Sequence, residues 1–195
     1  MRGLAAIALS CALVILAAGC ASTPSSRFYT LSATLSASTA PPADATSSNL
    51  SVAVGPVSVP AAVDRPQIVV STGPNQVQLD EFNRWASPLQ DNIARVVAEN
   101  LIAMLGTPRV TQTLSVDAGY RAVIEVQRFE SALGEATTLD AVWTVRRAKD
   151  GKSQTGRTTV REPAPGTSYD ALAAAHSRAV ARLSRDIADA VRALD

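Results

Sequence analysis

Cys20 is the side chain in this sequence whose surroundings most clearly prescribe covalent chemistry. It closes the run Leu16-Ala17-Ala18-Gly19-Cys20, and Leu4 to Ala18 ahead of it is almost unbroken apolar sequence with Arg2 at its head. A positive end, a short apolar stretch and small residues before a cysteine make a bacterial export signal of the lipobox type. In that chemistry the thiol receives a diacylglycerol through a thioether. After cleavage the new amine takes a further acyl chain such as palmitate. Ala17 departs from the usual pattern, where leucine is commoner three residues before the cysteine. The apolar stretch falls short of the roughly 20 residues that span a bilayer. A polar, Pro- and Ser-rich stretch follows it, so the segment reads as an anchor signal. At about 0.8 kcal/mol per buried methylene, three chains on Cys20 would hold the protein to a membrane practically for good.

The other candidate chemistries are thin. His176 is the only histidine; one turn from both Leu172 and Val180, it is expected at the edge of a packed helix face in a structural role. Asp80-Glu81 and Asp186/Asp189 are the nearest things to paired carboxylates, and neither has the supporting groups of a general acid–base site. The chain contains no nucleophile elbow, no phosphate-binding glycine loop and no cluster of metal ligands in the sequence. The chain is expected not to be an enzyme and to carry no metal. Its cofactor is expected to be none, the acyl chains on Cys20 apart. What stands out is Asp64-Arg65-Pro66-Gln67 and Arg84-Trp85. Tryptophan and arginine concentrate the energy of protein interfaces, which makes these six residues a candidate partner surface. The competing reading has Trp85 stapling the start of a helix to the core.

These residues need elements to position them. Residues 1–19 form the signal and 20–26 a short lipidated tether. Residues 27–195 form a single domain, interrupted by a flexible Ser-, Thr- and Pro-rich loop over 33–49. Val52, Val54, Val57 and Val59 suggest a strand broken at Gly55-Pro56. Gln67–Val70 and Gln76–Leu79 flank Thr72-Gly73-Pro74-Asn75 as a hairpin. Ser87 as cap and Pro88 as first residue open a helix. Leu89, Ile93, Val96, Val97, Leu101, Met104 and Leu105 line its face, and Gly106 and Pro108 end it. Alternation over Tyr120–Val126 and Leu139–Val145, then Asp150-Gly151 before Thr155–Arg161, predicts an antiparallel meander. A last helix is capped by Thr167, with Leu172, Ala175, Ala179, Leu183, Ile187, Val191 and Leu194 on one face. The fold class is α/β: a mixed, largely antiparallel sheet packed by two long helices.

Composition narrows the function classes. The chain has 195 residues with 18 basic and 17 acidic side chains. Loss of residues 1–19 removes only Arg2, leaving 176 residues with 17 charges of each sign. A neutral protein has no electrostatic footprint for nucleic acid. Cys11 leaves with the signal and Cys20 is the lipid site, so the mature fold has no disulfide. Ala21 rather than Asp after the cysteine resembles the Gram-negative sorting signal for the outer membrane, facing the periplasm.

In order along the chain, five segments carry a family resemblance: Phe28-Tyr29-Thr30-Leu31, Val54-Gly55-Pro56-Val57, Val63-Asp64-Arg65-Pro66-Gln67-Ile68-Val69, Phe82-Asn83-Arg84-Trp85-Ala86-Ser87-Pro88-Leu89, and Ala175-His176-Ser177-Arg178 through Leu183-Ser184-Arg185-Asp186-Ile187. Together they resemble the auxiliary lipoproteins of ABC-type transport systems, the group that includes paraquat-inducible protein C. The Arg-Pro-Gln and Arg-Trp-Ala-x-Pro-Leu segments are the most specific. The resemblance implies a domain similar to the N-terminal domain of TolB. It also implies an outer-membrane-anchored periplasmic adaptor, ring-shaped as a homo-oligomer, that docks an MCE-domain protein and inner-membrane transporter components. The alternative is a stand-alone lipid-anchored carrier of an apolar small molecule.

Overall fold

A computed structural model describes residues 24–34, 50–112 and 117–195. The signal, Cys20, most of the tether and residues 35–49 of the loop lie outside the described residues. The elements in chain order are β1 (Arg27–Tyr29), β2 (Val52–Ser58), β3 (Gln67–Gly73), β4 (Gln76–Trp85), α1 (Leu89–Leu105), β5 (Val110–Thr111), β6 (Tyr120–Ala132), β7 (Ala136–Arg147), β8 (Ser153–Pro163) and α2 (Tyr169–Leu194).

The strands form two sheets where sequence suggested one. The larger runs β5-β2-β6-β7-β8 and the smaller β1-β4-β3. In the larger, β2 lies parallel to β5 and β6, and β6, β7 and β8 follow as the expected antiparallel meander. In the smaller, β1 is parallel to β4, and β3 and β4 form the expected hairpin. β2 is not broken at Gly55-Pro56. It continues through them with a register shift between Val54 and Val57, and Gly55 supplies the positive φ of +128° that the irregularity requires.

Both helices cover one face of the large sheet, α1 over β2 and β5, α2 over β7 and β8. The opposite face is solvated, so β6 alternates buried and exposed along most of its length. The stripes read from the sequence are buried as expected: Leu89, Ile93, Val96, Val97 and Leu101 on α1, and Leu172, Ala175, Ala179, Leu183, Ile187 and Val191 on α2. The two helices also pack against each other, and Asn100 Nδ2 donates to Ser184 Oγ (3.2 Å) between them.

Two caps shift by one residue. Pro88, extended at ψ 136°, is itself the cap of α1 and makes no side-chain bond, because Ser87 lies one position too early. Gly106 ends α1 with φ +64°. Ser168, not Thr167, caps α2: its Oγ accepts from Ala171 N at 3.1 Å.

Candidate functional site

The small sheet gathers most of the residues singled out in the sequence. Across its three strands, Phe28 on β1 stands beside Arg84 on β4, which stands beside Gln67 on β3. Pro66 joins the same corner, its carbonyl accepting from Trp85 N at 2.7 Å. A tight turn follows Pro60, whose carbonyl accepts from Val63 N and Asp64 N (3.0 and 3.1 Å), and it presents Asp64 and Arg65 to solvent.

Between Gln67↔Arg84 and Val69↔Leu79, four residues of β4 stand against Ile68 alone. The extra residues fold on Asp80, whose Oδ1 accepts from Phe82 N and Asn83 N at 2.8 and 2.7 Å. Burial pushes the Asp80 carboxyl up, but hydrogen bonds from Tyr169, Asn83 and Phe82 outweigh it and leave it below the usual range. The Tyr169 hydroxyl moves the other way, held well above the ordinary tyrosine range by burial and by Asp80. The bulge pushes Phe82 outward, and Arg84 Nε donates back to the Glu81 carbonyl at 2.9 Å.

The small sheet carries most of the exposed large apolar side chains, with Arg84 beside Phe28. Phe28 is 65% exposed, Val77 59%, Leu79 39% and Phe82 38%. They are four of the five exposed large hydrophobic residues among the described residues; Val123 on β6 is the fifth. Contiguous exposed apolar surface edged by polar groups marks interaction sites rather than ordinary solvent-facing sheet.

Trp85 does not belong to that surface. It is 6% exposed, and its ring meets Phe129 and His176 edge-on at 6.1 and 6.2 Å. The interface reading of Trp85 is therefore corrected: the indole is spent on the core, as the stapling alternative held. His176 is corrected as well. It is fully buried rather than at an edge, stacked on Phe129 at 3.8 Å and 7°, with Nε2 and Ser131 Oγ sharing a 2.8 Å hydrogen bond. Burial lowers its pKa to about 3. Trp85→Ala is expected to cost about 3–5 kcal/mol of stability, whereas Arg65→Ala, on an exposed turn, is expected to change it by less than about 0.5 kcal/mol. Urea unfolding of the two variants checks this, and equal costs would contradict the assignment.

Three residues that the sequence reading passed over fix the chain where it enters the domain. Leu31 is buried; Asn92 Oδ1 accepts from its N–H (3.3 Å) and Arg95 Nη2 donates to its carbonyl (2.6 Å). Ser177 Oγ accepts from Ser32 N at 3.1 Å. The available signal was polar residues on otherwise apolar helix faces, with Asn92 next to Ile93 and Ser177 between Ala173 and Ala181. Arg27 lies seven positions after Cys20, a reach of at most about 25 Å. The small sheet is thus the described part of the fold nearest in chain length to Cys20.

No group of three or more His, Cys, Asp or Glu among the described residues is placed to hold a metal ion, and no described helix is long and apolar enough to cross a membrane. A cavity of about 230 Å3 lies between β3 and β6, lined in part by Val63, Val69 and Phe129. This is below the roughly 300–1,000 Å3 usual for ligand pockets.

Two helices on one face of a mixed sheet, with a smaller sheet at the chain entrance, define the class of protein. The same fold occurs in a crystal structure of an uncharacterized protein, at 20% identity and a TM-score of 0.71, covering 86% of this chain and 99% of that one. It also occurs in protein XCC0632 from Xanthomonas campestris, at 22% identity and a TM-score of 0.62, covering 83% and 92%. No curated protein sequence matches significantly. The family model described as the ABC-type transport auxiliary lipoprotein component matches residues 29–188, and the chain belongs to that family.

Proposed function

We propose that this protein is an adaptor of an MCE-type intermembrane lipid transport system, anchored in the outer membrane on the periplasmic side through an acylated Cys20. In this reading it is not catalytic. It holds one end of the transport conduit in place, and its docking face is the outer surface of the small sheet.

The observation that carries this reading is where the exposed apolar side chains lie. Phe28, Val77, Leu79 and Phe82 share the small sheet with Arg84, and exposed Arg65 adjoins its corner. Aromatic residues and arginine are the side chains enriched at protein interfaces. The sheet also begins seven residues from the anchor, so a partner bound there would be held near the bilayer. Asp64 and Gln67 form the polar rim of that face, with Pro66 between them. Assembly of several copies into a ring would repeat the face around the conduit.

Crosslinking and affinity purification of the full-length protein from detergent-solubilised envelopes tests the reading. Recovery of an MCE-domain protein with inner-membrane transporter components is expected. Recovery of the lipoprotein alone with bound lipid would replace the adaptor by the stand-alone carrier.

A further inference from the structure

Among the described residues, the large sheet ends at β8, which pairs with β7 and with no further strand. Ala164 N donates to the Glu135 carbonyl and Arg147 N to the Lys152 carbonyl, and the register of β7 against β8 is unbroken between them. In an antiparallel ladder the pairs alternate. The N–H and C=O groups of Thr155, Arg157, Thr159 and Arg161 therefore point away from β7, toward the open edge. The edge stops at Pro163, which has no N–H and whose carbonyl already accepts from Arg178 Nη2 at 2.5 Å.

Alongside this edge runs a groove of about 670 Å3 between β8 and α2. Its lining includes four arginines, Arg157, Arg178, Arg182 and Arg185, against two carboxylates, Glu162 and Asp186. Arg178 pairs with Glu162 (3.0 Å), Arg182 with Asp186 (3.8 Å), and Arg157 with Asp140 outside the groove (2.5 Å). Arg185 is exposed and has no carboxylate partner among the described residues. Arg178, Arg182 and Arg185 fall at i, i+4 and i+7, so they form one stripe along the helix.

We propose that β8 takes up an extended acidic segment of a partner protein as an added strand, its carboxylates meeting the arginine stripe of α2. The dimensions agree. Along a strand, every second side chain recurs on one face at about 6.7 Å. Along α2, Arg178 and Arg182 are separated by about 6 Å of rise and Arg182 and Arg185 by about 4.5 Å. Acidic residues at alternate positions thus face successive arginines, while the peptide backbone pairs with Arg157, Thr159 and Arg161. Main-chain bonds supply affinity in such additions and the alternate side chains supply selectivity. This surface does not depend on the small sheet, so it stands or falls apart from the adaptor reading.

The test uses the full-length protein in detergent micelles and a fluorescein-labelled, capped octapeptide in which Glu and Val alternate. Saturable binding is expected, with none for the same peptide carrying Lys in place of Glu. Arg185→Glu, an exposed change outside the core, is expected to weaken binding about tenfold, the size of one charge pair. Amide hydrogen exchange at Arg157, Thr159 and Arg161 is expected to slow when the peptide is added. Absence of binding, or binding with no slowing at those amides, overturns the proposal. So does slowing that arises from self-association without peptide, which would give the edge to a second copy. Arginine-dependent binding of phosphatidylglycerol vesicles without peptide binding would give the groove to lipid headgroups instead.

Discussion

Gly156→Ala is expected to destabilise the protein by about 3 kcal/mol or more, although the position is a half-buried strand residue near a sheet edge. Gly156 lies directly opposite Trp143 on β7. A Cβ at 156 would stand 2.2 Å from Trp143 Cζ2 and 2.5 Å from Cη2. The ring cannot simply step aside. It is 6% exposed, and its Nε1 donates to Thr158 Oγ1 (3.0 Å), which donates in turn to Asp186 Oδ2 on α2 (2.6 Å). Overpacking of this kind costs about 1–3 kcal/mol, and breaking the indole hydrogen bond adds about 1 kcal/mol. For a domain of this size the thermal midpoint should fall by roughly 10 °C, read by circular dichroism. The effect should shrink in a Trp143→Phe background, because phenylalanine lacks the clashing benzo ring. A neutral Gly156→Ala would contradict the placement of the indole over β8.

His176 makes stability depend on pH in a stated direction. The folded protein holds the ring neutral, with its pKa lowered to about 3 by burial, while an unfolded histidine titrates near 6.5. Phe129, Trp85 and Ser131 surround it, and no carboxylate contributes to its titration. Its contribution is therefore fully present above about pH 6.5. It is lost progressively as pH falls toward the folded value, because only the unfolded chain takes up the proton. At pH 5 the expected loss is about 2 kcal/mol relative to pH 7, from roughly 1.4 kcal/mol per pH unit. The window from pH 7 to 5 separates this from the carboxylates. Asp140, held low first by its bond from Arg157, begins to lose its contribution only near pH 4. Urea unfolding at pH 7.5, 6 and 5 should show the decline in the native chain and none in His176→Phe. A flat profile for the native chain would place the ring in water or against a charge.

What the sequence made legible follows the range of the contacts involved. The stripe of α1 from Leu89 to Leu105, the alternation of β6 and β7, and the Asp150-Gly151 turn between β7 and β8 are local signals, and they find their elements, although β6 runs on six residues past Val126 to Ala132. The small sheet is different in kind. β1 finds its partner strand more than fifty residues later, as Phe28 beside Arg84, and no periodicity in three residues announces that. The bulge at Asp80–Asn83 breaks the alternation of β4, so which of its side chains face outward depends on a side-chain hydrogen bond rather than on pattern. Arg65 and Arg84 could be named from residue type. Phe28 and Phe82, the apolar half of the same surface, needed the fold. Trp85 carried two readings because a tryptophan before a helix serves core or interface equally well by type, and burial decides between them. His176 was misplaced for a similar reason. Phe129, which stacks on the imidazole, and Ser131, which hydrogen-bonds it, lie on a strand far away in sequence.

The docking claim is tested most directly by a photoreactive amino acid placed singly at Phe28, Phe82 and Arg65 of the full-length lipoprotein in living cells, with Arg121 on the solvated face of β6 as the control. The account predicts that illumination joins the first three positions to an MCE-domain protein and leaves the Arg121 position unjoined. Crosslinks to that partner from Arg121 alone, or none from the small sheet while the two proteins still copurify, would contradict it.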